Sequence, residues 1–192
     1  MQRSASDPLL DAVVAEVMAY GVRRATATSV AQRAGVSRMT VHRRGGLQQL
    51  LLDAISREFD QTVHAVAGPE SGEPVRARLS AGVASTIATL NASPLITALH
   101  RHDPELVVPY LVDRLGHSQQ TVLAVLVEAI RLGQEDGSVR EVDPDLAGHV
   151  LLMALQNFVI SAGIIRQVTD PQAVLREVSV LVDSYLAPAA TS

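Results

Sequence analysis

The stretch from Ala27 to Arg44, ATSVAQRAGVSRMTVHRR, constrains the fold of this chain more than any other segment. It reads as a short helix, a tight turn and a second short helix. Either Thr26 or Thr28 caps the first helix, whose inward side is Val30, Ala31 and Ala34. Ala31 is small and lets the second helix approach closely. Gly35 follows where a left-handed backbone costs least. Val36 fills the corner. Ser37 fits the N-cap of the second helix, accepting from the N–H of Met39 or Thr40, and Val41 turns back into the core. Arg38, Met39, Thr40, His42 and Arg43 are left facing outward. From Gly21 to Gly46 there are six arginines (Arg23, Arg24, Arg33, Arg38, Arg43 and Arg44) and no acid, although the whole chain is formally −4. A helix-turn-helix with concentrated positive charge is the pattern of a DNA reader, its second helix entering the major groove end first. An αα-corner with a solvated arginine face shares the same spacing.

The flanking segments narrow the choice. Asp7 is a good N-cap and Pro8 suits a first helical position, so a helix is expected over 8–20. Leu10, Val13, Val14, Val17 and Met18 would form its apolar face. After the motif, Gly45-Gly46 breaks the chain. A longer helix then starts near Leu47, with Leu47, Leu50, Leu51, Ala54, Ile55 and Phe59 on one side. Three helices and the start of a fourth make a basic headpiece of about sixty residues.

The run TSVAQRAGVSRMTVHRR followed by LLLDAI, and preceded by LLDAVVAEVMAYG, resembles the N-terminal domain of the tetracycline-repressor (TetR) family of bacterial transcription regulators. The detailed similarity covers roughly residues 9–56. Beyond it the chain resembles the family in length, in its helical pattern and in GQEDGSVREVDPDLAG at 133–148, a link into the penultimate helix. The resemblance implies a homodimer with two DNA heads and a helical C-terminal domain that binds a small molecule. It also implies that Thr28 contacts phosphate and that Arg38, Met39 and Thr40 face bases or phosphates. Ser37, Arg43 and Arg44 complete the expected DNA-facing set. Three positions depart from the family pattern. His42 stands where a phosphate-contacting tyrosine is usual, Gly45 where a core phenylalanine is usual, and Gln48 where a lysine normally holds a phosphate. Arg43 and Arg44 would then supply the missing positive charge.

Composition fits a helical reading of the remainder. Apolar residues make up 47% of the chain and aromatics only 3%, so the core must be built of Leu, Val, Ile and Ala. Cysteine is absent, which excludes disulfides and thiolate metal sites. Residues 1–8 do not resemble a signal peptide, and no uninterrupted apolar run reaches about 18 residues. A cytoplasmic protein that does not engage membranes is expected. Residues 1–64 hold eight arginines and six acids, whereas 65–192 hold eight arginines and fourteen acids. The acidic half reads as a solvated surface, which would also keep DNA off the wrong face.

Asp-Pro recurs at Asp7, Asp103, Asp143 and Asp170, each pairing an N-cap with a first-turn proline. Glu73-Pro74 and Ser93-Pro94 look like two further starts. Helices are expected over 47–66, 74–91, 94–101, 104–115, 118–136, 144–166 and 171–187. The helix at 144–166 is apolar almost all round, so it should be buried on more than one side. With the helix at 171–187 it is expected to carry the dimer contact, the family using these two helices from each subunit as a four-helix interface.

No Gly-rich phosphate loop, His-Glu-x-x-His or Gly-x-Ser-x-Gly motif is present. His100 and His102 point apart on a helix and do not make a metal site. Tyr110, Gln156, Asn157 and Ser161 are polar groups among apolar neighbours. They suit the polar anchors of a ligand pocket or, equally, satisfied core or interface groups. The expected architecture is all-α. It comprises a three-helix DNA-binding domain at 1–46, a connecting helix at 47–66 and a helical ligand-binding and dimerisation domain at 67–192. The expected activity is a non-enzymatic, homodimeric repressor of a palindromic operator in double-stranded DNA, released by a small-molecule effector and needing no metal or cofactor. The rival is a helical ligand-binding or interaction protein with a degenerate helix-turn-helix.

Overall fold

The computed structural model describes residues 7–63, 72–102 and 116–189, and only the backbone of His100 and His102. Every regular element among the described residues is a helix. The chain divides into two compact units. The first holds α1 (Pro8–Tyr20), α2 (Ala27–Ala34), α3 (Arg38–Arg43), α4 (Gly46–Val63) as far as Glu58, and α6 (Pro94–His102). The second holds the end of α4, α5 (Val75–Ala92), α7 (His117–Glu135), α8 (Pro144–Ile160), α9 (Ala162–Val168) and α10 (Pro171–Leu186). The helix expected over 104–115 lies outside the described residues.

The proline starts behave as N-terminal chemistry requires. Asp7 accepts from Leu9 N–H at 3.0 Å, Asp143 from Asp145 at 2.9 Å, and Asp170 from Gln172 at 3.0 Å. Ser93 accepts from Ile96 N–H at 3.3 Å at the head of α6. Each bond satisfies one of the orphan donors that open a helix.

In the first unit, Val13 and Val17 of α1, Val30 of α2, Val41 of α3 and Leu50 of α4 are fully buried together. Leu95 and Leu99 of α6 complete this core. The inward arc of α1 differs from the expected one. It is centred on Leu9, Val13 and Val17 and takes in Glu16, whereas Met18 is 45% exposed. Met18 lies one step of about 100° past Val17 and so leaves the core. It lines a shallow hollow with Val14 and Ala15, beside the Asp11–Arg57 ion pair of 2.8 Å.

In the second unit α5 packs on α10 and α7, and α7 packs on α8. Gly148 lies at a close approach of α7 and α8. A Cβ there would stand 2.8 Å from Val127 Cγ2. The segment 133–148 works as a clasp. Gln134 Nε2 donates to the carbonyls of Arg140 (3.1 Å) and Val142 (2.7 Å). Arg140 donates from its backbone to Leu186 O (2.9 Å) and from Nε to Tyr185 O (2.8 Å), satisfying carbonyls at the end of α10. Asp136 Oδ2 accepts from Val75 N–H at 2.8 Å, and Ser138 Oγ accepts from Arg76 N–H at 3.2 Å, so the loop also caps α5.

The single helix expected over 144–166 is two. The chain bends by 63° between α8 and α9, at Ser161. The cause is local competition for a carbonyl. Asn91 Nδ2 of α5 donates to Phe158 O at 3.2 Å, and the N–H groups of Ile164 and Ile165 turn back to Ser161 O. A side chain inserted into the backbone ladder is a recognised origin of a kink.

Candidate nucleic-acid interface

The turn between α2 and α3 follows the chemistry its residues dictate. Thr26, not Thr28, caps α2. Its Oγ1 accepts from Ser29 N–H at 3.0 Å, and Ser29 Oγ accepts from Thr26 N–H at 3.1 Å, a reciprocal capping box. Gly35 takes φ 68° and ψ 28°. Val36 N–H then reaches back to Ala31 O at 3.0 Å and Gly35 N–H to Gln32 O at 3.3 Å, the Schellman closure. Ser37 Oγ accepts from Thr40 N–H at 3.2 Å and starts α3.

This arrangement fixes the outward row. Within α3 only Val41 is buried. Arg38, Met39, His42 and Arg43 are exposed, and Thr40 is half-buried, its Oγ1 3.0 Å from Ser37 Oγ. Met39 is 66% exposed, a large apolar side chain held in water at the second position of the helix. Thr28 is exposed in the first turn of α2, so it lies at the positive end of that helix. Thr28, Ser37, Arg38, Met39, Thr40, His42 and Arg43 therefore belong to one capped helix pair and its solvent side.

The positive charge is not uniformly available. Arg33 Nε bonds Glu16 Oε1 at 2.7 Å. The Arg33 hydrogen bond holds the Glu16 carboxyl below the usual carboxylate range, against the upward push of burial. Arg44 has an acidic neighbour that the local sequence does not show: its Nη2 lies 2.8 Å from Asp7 Oδ2. The expectation that Arg44 is free of acids is therefore corrected, because α1 brings its N-cap to the end of α3. Arg38 and Arg43 make no ion pair among the described residues and are the cations α3 presents.

The pairing of Glu16 with Arg33, and that of the N-cap Asp7 with Arg44, are not apparent from the local sequence pattern. Glu16 carried a signal. An acid spaced with Leu9, Val13 and Val17 on an apolar face requires a basic partner.

The ligand-anchor candidates fare differently. Gln156 accepts from Gln119 Nε2 at 2.7 Å, and exposed Asn157 donates to Met153 O at 3.0 Å one turn back. Both are engaged within their own bundle. Ser161 marks the bend, and Tyr110 lies outside the described residues. No cluster of His, Cys, Asp or Glu suited to a metal occurs among the described residues. No single described helix is long and apolar enough to cross a membrane.

No family model matches the chain. Uncharacterized HTH-type transcriptional regulators of Mycobacterium tuberculosis and Mycobacterium bovis are 29% identical over 179 residues, 93% of this chain and 92% of theirs. The fold is shared with the fatty acid degradation regulator FadR of Bacillus halodurans (TM-score 0.70, 20% identity, 95% of this chain and 96% of that one). It is shared with the TetR family repressor AlkX of Dietzia (TM-score 0.69, 19% identity, 96% and 97%). It is also shared with SmeT, the repressor of a Stenotrophomonas maltophilia efflux pump (TM-score 0.68, 17% identity, 97% and 93%). These likenesses extend over both units, and all these proteins are regulators rather than enzymes. With the capped helix-turn-helix and its outward arginines, the chain is similar to helix-turn-helix transcriptional regulators and has the fold of TetR-family repressors.

Proposed function

We propose that the chain is a homodimeric repressor whose two heads read a palindromic operator, and that an apolar small molecule bound by the C-terminal helices releases it. The observation that carries the reading is the exposed row Arg38, Met39, His42 and Arg43 on a short, doubly capped helix. Guanidinium groups suit guanine edges and phosphates, and apolar side chains suit the thymine methyl.

The second unit supports dimerisation. Leu146, Val150 and Met153 are exposed at steps of four and three along α8, opposite buried Ala147, Leu151 and Leu155. Val180 and Leu181 are exposed on α10. A continuous apolar row of this kind marks an interaction surface. A two-fold dimer would set the heads about 34–36 Å apart, one turn of DNA, or a multiple of it.

Release by an apolar ligand rests on two supports. The core of the second unit is built of aliphatic side chains. SmeT has been solved with triclosan, and a FadR of Bacillus subtilis with stearoyl-CoA. A regulator working this way functions in the cytoplasm, where its operator is.

A mobility-shift assay with DNA from upstream of the chain's own gene, with and without competitor, tests the reading. A shift that survives competitor and disappears with an added effector is expected. Binding that competitor abolishes completely would favour a helical interaction protein with a degenerate head.

A further inference from the structure

Two glycines join α3 to α4. Gly45 and Gly46 both adopt positive φ, 84° and 79°. Neither contributes a side chain that could wedge α3 against α4, and a Cβ at Gly45 would stand 2.7 Å from Gln49 Cβ. Helix α3 has six residues and buries only Val41. The turn with α2 holds the N-terminal end of α3, and Val41 is its one buried side chain, so the C-terminal end takes its position from a further contact.

The C-terminal end of α3 meets Asp7. Arg44 donates from Nη2 to Asp7 Oδ2 at 2.8 Å, while Asp7 Oδ1 accepts from Leu9 N–H at 3.0 Å. The carboxylate is thus fixed at the start of α1 before it takes the guanidinium. A partner already immobilised loses less conformational entropy on pairing than two free side chains do. Partial burial raises the Asp7 carboxyl, but the Arg44 hydrogen bond and the Leu9 and Leu10 N–H groups outweigh it and leave it below the usual range. Arg44 also supplies the backbone cap of α3, its N–H bonding the carbonyls of Thr40 and Val41, both at 3.2 Å. One residue therefore closes the helix with its main chain and moors it with its side chain.

We propose that Asp7 is a positioning residue for DNA reading. Its carboxylate holds Arg44 and so sets the angle at which α3 presents Arg38, Met39 and Arg43, a role that the glycine pair leaves vacant. The inference rests on the reading of the row as a DNA surface. It withdraws Arg44 from the residues that neutralise phosphate.

The test uses Asp7→Asn in the full chain. Asparagine caps a helix as well as aspartate does, so α1 is preserved while the charge is removed. Two duplexes of equal length are compared, one from upstream of the chain's own gene and one with that sequence shuffled. The ratio of the two affinities should fall by about two- to fivefold per head. Arg44→Lys should retain the ratio. Asp7→Asn combined with Arg44→Gln should be no worse than Asp7→Asn alone, since the two residues act as a unit. In the free protein, amide hydrogen exchange from Thr40 to Arg44 should be faster in Asp7→Asn. An unchanged ratio, an equal gain for both duplexes or unchanged exchange overturns the proposal. If the wild-type chain does not distinguish the duplexes, the DNA reading falls, and the exchange measurement still decides whether Asp7 holds α3.

Discussion

Glu16 of α1 and Arg33 of α2 meet at 2.7 Å, the carboxylate side chain 6% exposed and the guanidinium 43% exposed. The pair joins the first helix of the head to the helix before the turn. Its asymmetry sets the prediction. Removing Arg33 leaves a carboxylate buried without its main partner, which costs about 1–3 kcal/mol or more. Arg33→Ala should therefore lower the denaturant midpoint more than alanine at exposed Arg38, measured by urea unfolding.

Acid should act on the same contact. The Glu16 carboxyl is lowered first by the Arg33 hydrogen bond, with Ser29 assisting and burial opposing. Its folded value lies below its unfolded one. The stability it contributes is therefore complete above the unfolded value, about 4.3, and is lost as pH falls through the lowered folded value. Asp136 adds a contribution of the same sign in the second unit, held down by Ser138 and then by the Val75 N–H. Unfolding temperatures followed from pH 7 to pH 3 should be flat at first and then fall. Glu16→Gln should flatten the fall.

Arg43 and Arg44 are adjacent and should behave differently. Arg43 has no acid paired with it among the described residues, so Arg43→Ala should weaken all sequences alike. It should reduce the salt slope by about one per subunit. Arg44→Ala should leave that slope unchanged, because Asp7 already neutralises its guanidinium. Affinities measured across a salt series separate the two.

Arg38 opens α3 and is exposed. If it reads guanine, Arg38→Ala costs about 1–3 kcal/mol per half-site and lowers the ratio of specific to non-specific binding. An equal loss on both kinds of DNA would restrict it to the backbone.

The proposed dimer is best probed at residues that the second unit leaves uncovered. Leu155 is not one of them. It is 7% exposed and belongs to the core with Leu151 and Val182, so a charge there unfolds the bundle. Val150→Glu places a charge on the exposed row instead, 44% exposed in the single chain. Analytical sedimentation should show a folded monomer for this variant and a dimer for the wild-type chain.

The head was legible because its chemistry is local. Gly35 at a left-handed corner, Ser37 as a cap and Val41 as an inward step each follow from neighbours within five residues. The proline starts at Asp7, Asp143 and Asp170 are legible for the same reason. What escaped involves residues far apart in sequence. Asp7 meets Arg44 across 37 positions, and Glu16 meets Arg33 across 17. The break at Ser161 escaped too. Periodicity runs through it, and the cause is Asn91, which competes for the Phe158 carbonyl from another helix. Of the proposed DNA-facing set, the sequence placed the outward row but could not tell which arginines are already neutralised.

The bend at Ser161 has a geometric consequence for whatever covers this face. Leu146, Val150 and Met153 follow the axis of α8, while exposed Ile164 and Val168 follow α9, and the two axes diverge by 63°. One straight helix cannot run along both rows. A complementary surface has to turn the same corner, as a second copy of this chain does by construction. Asn91, half-buried in the bundle, thereby restricts the shape of any partner that can close over both rows.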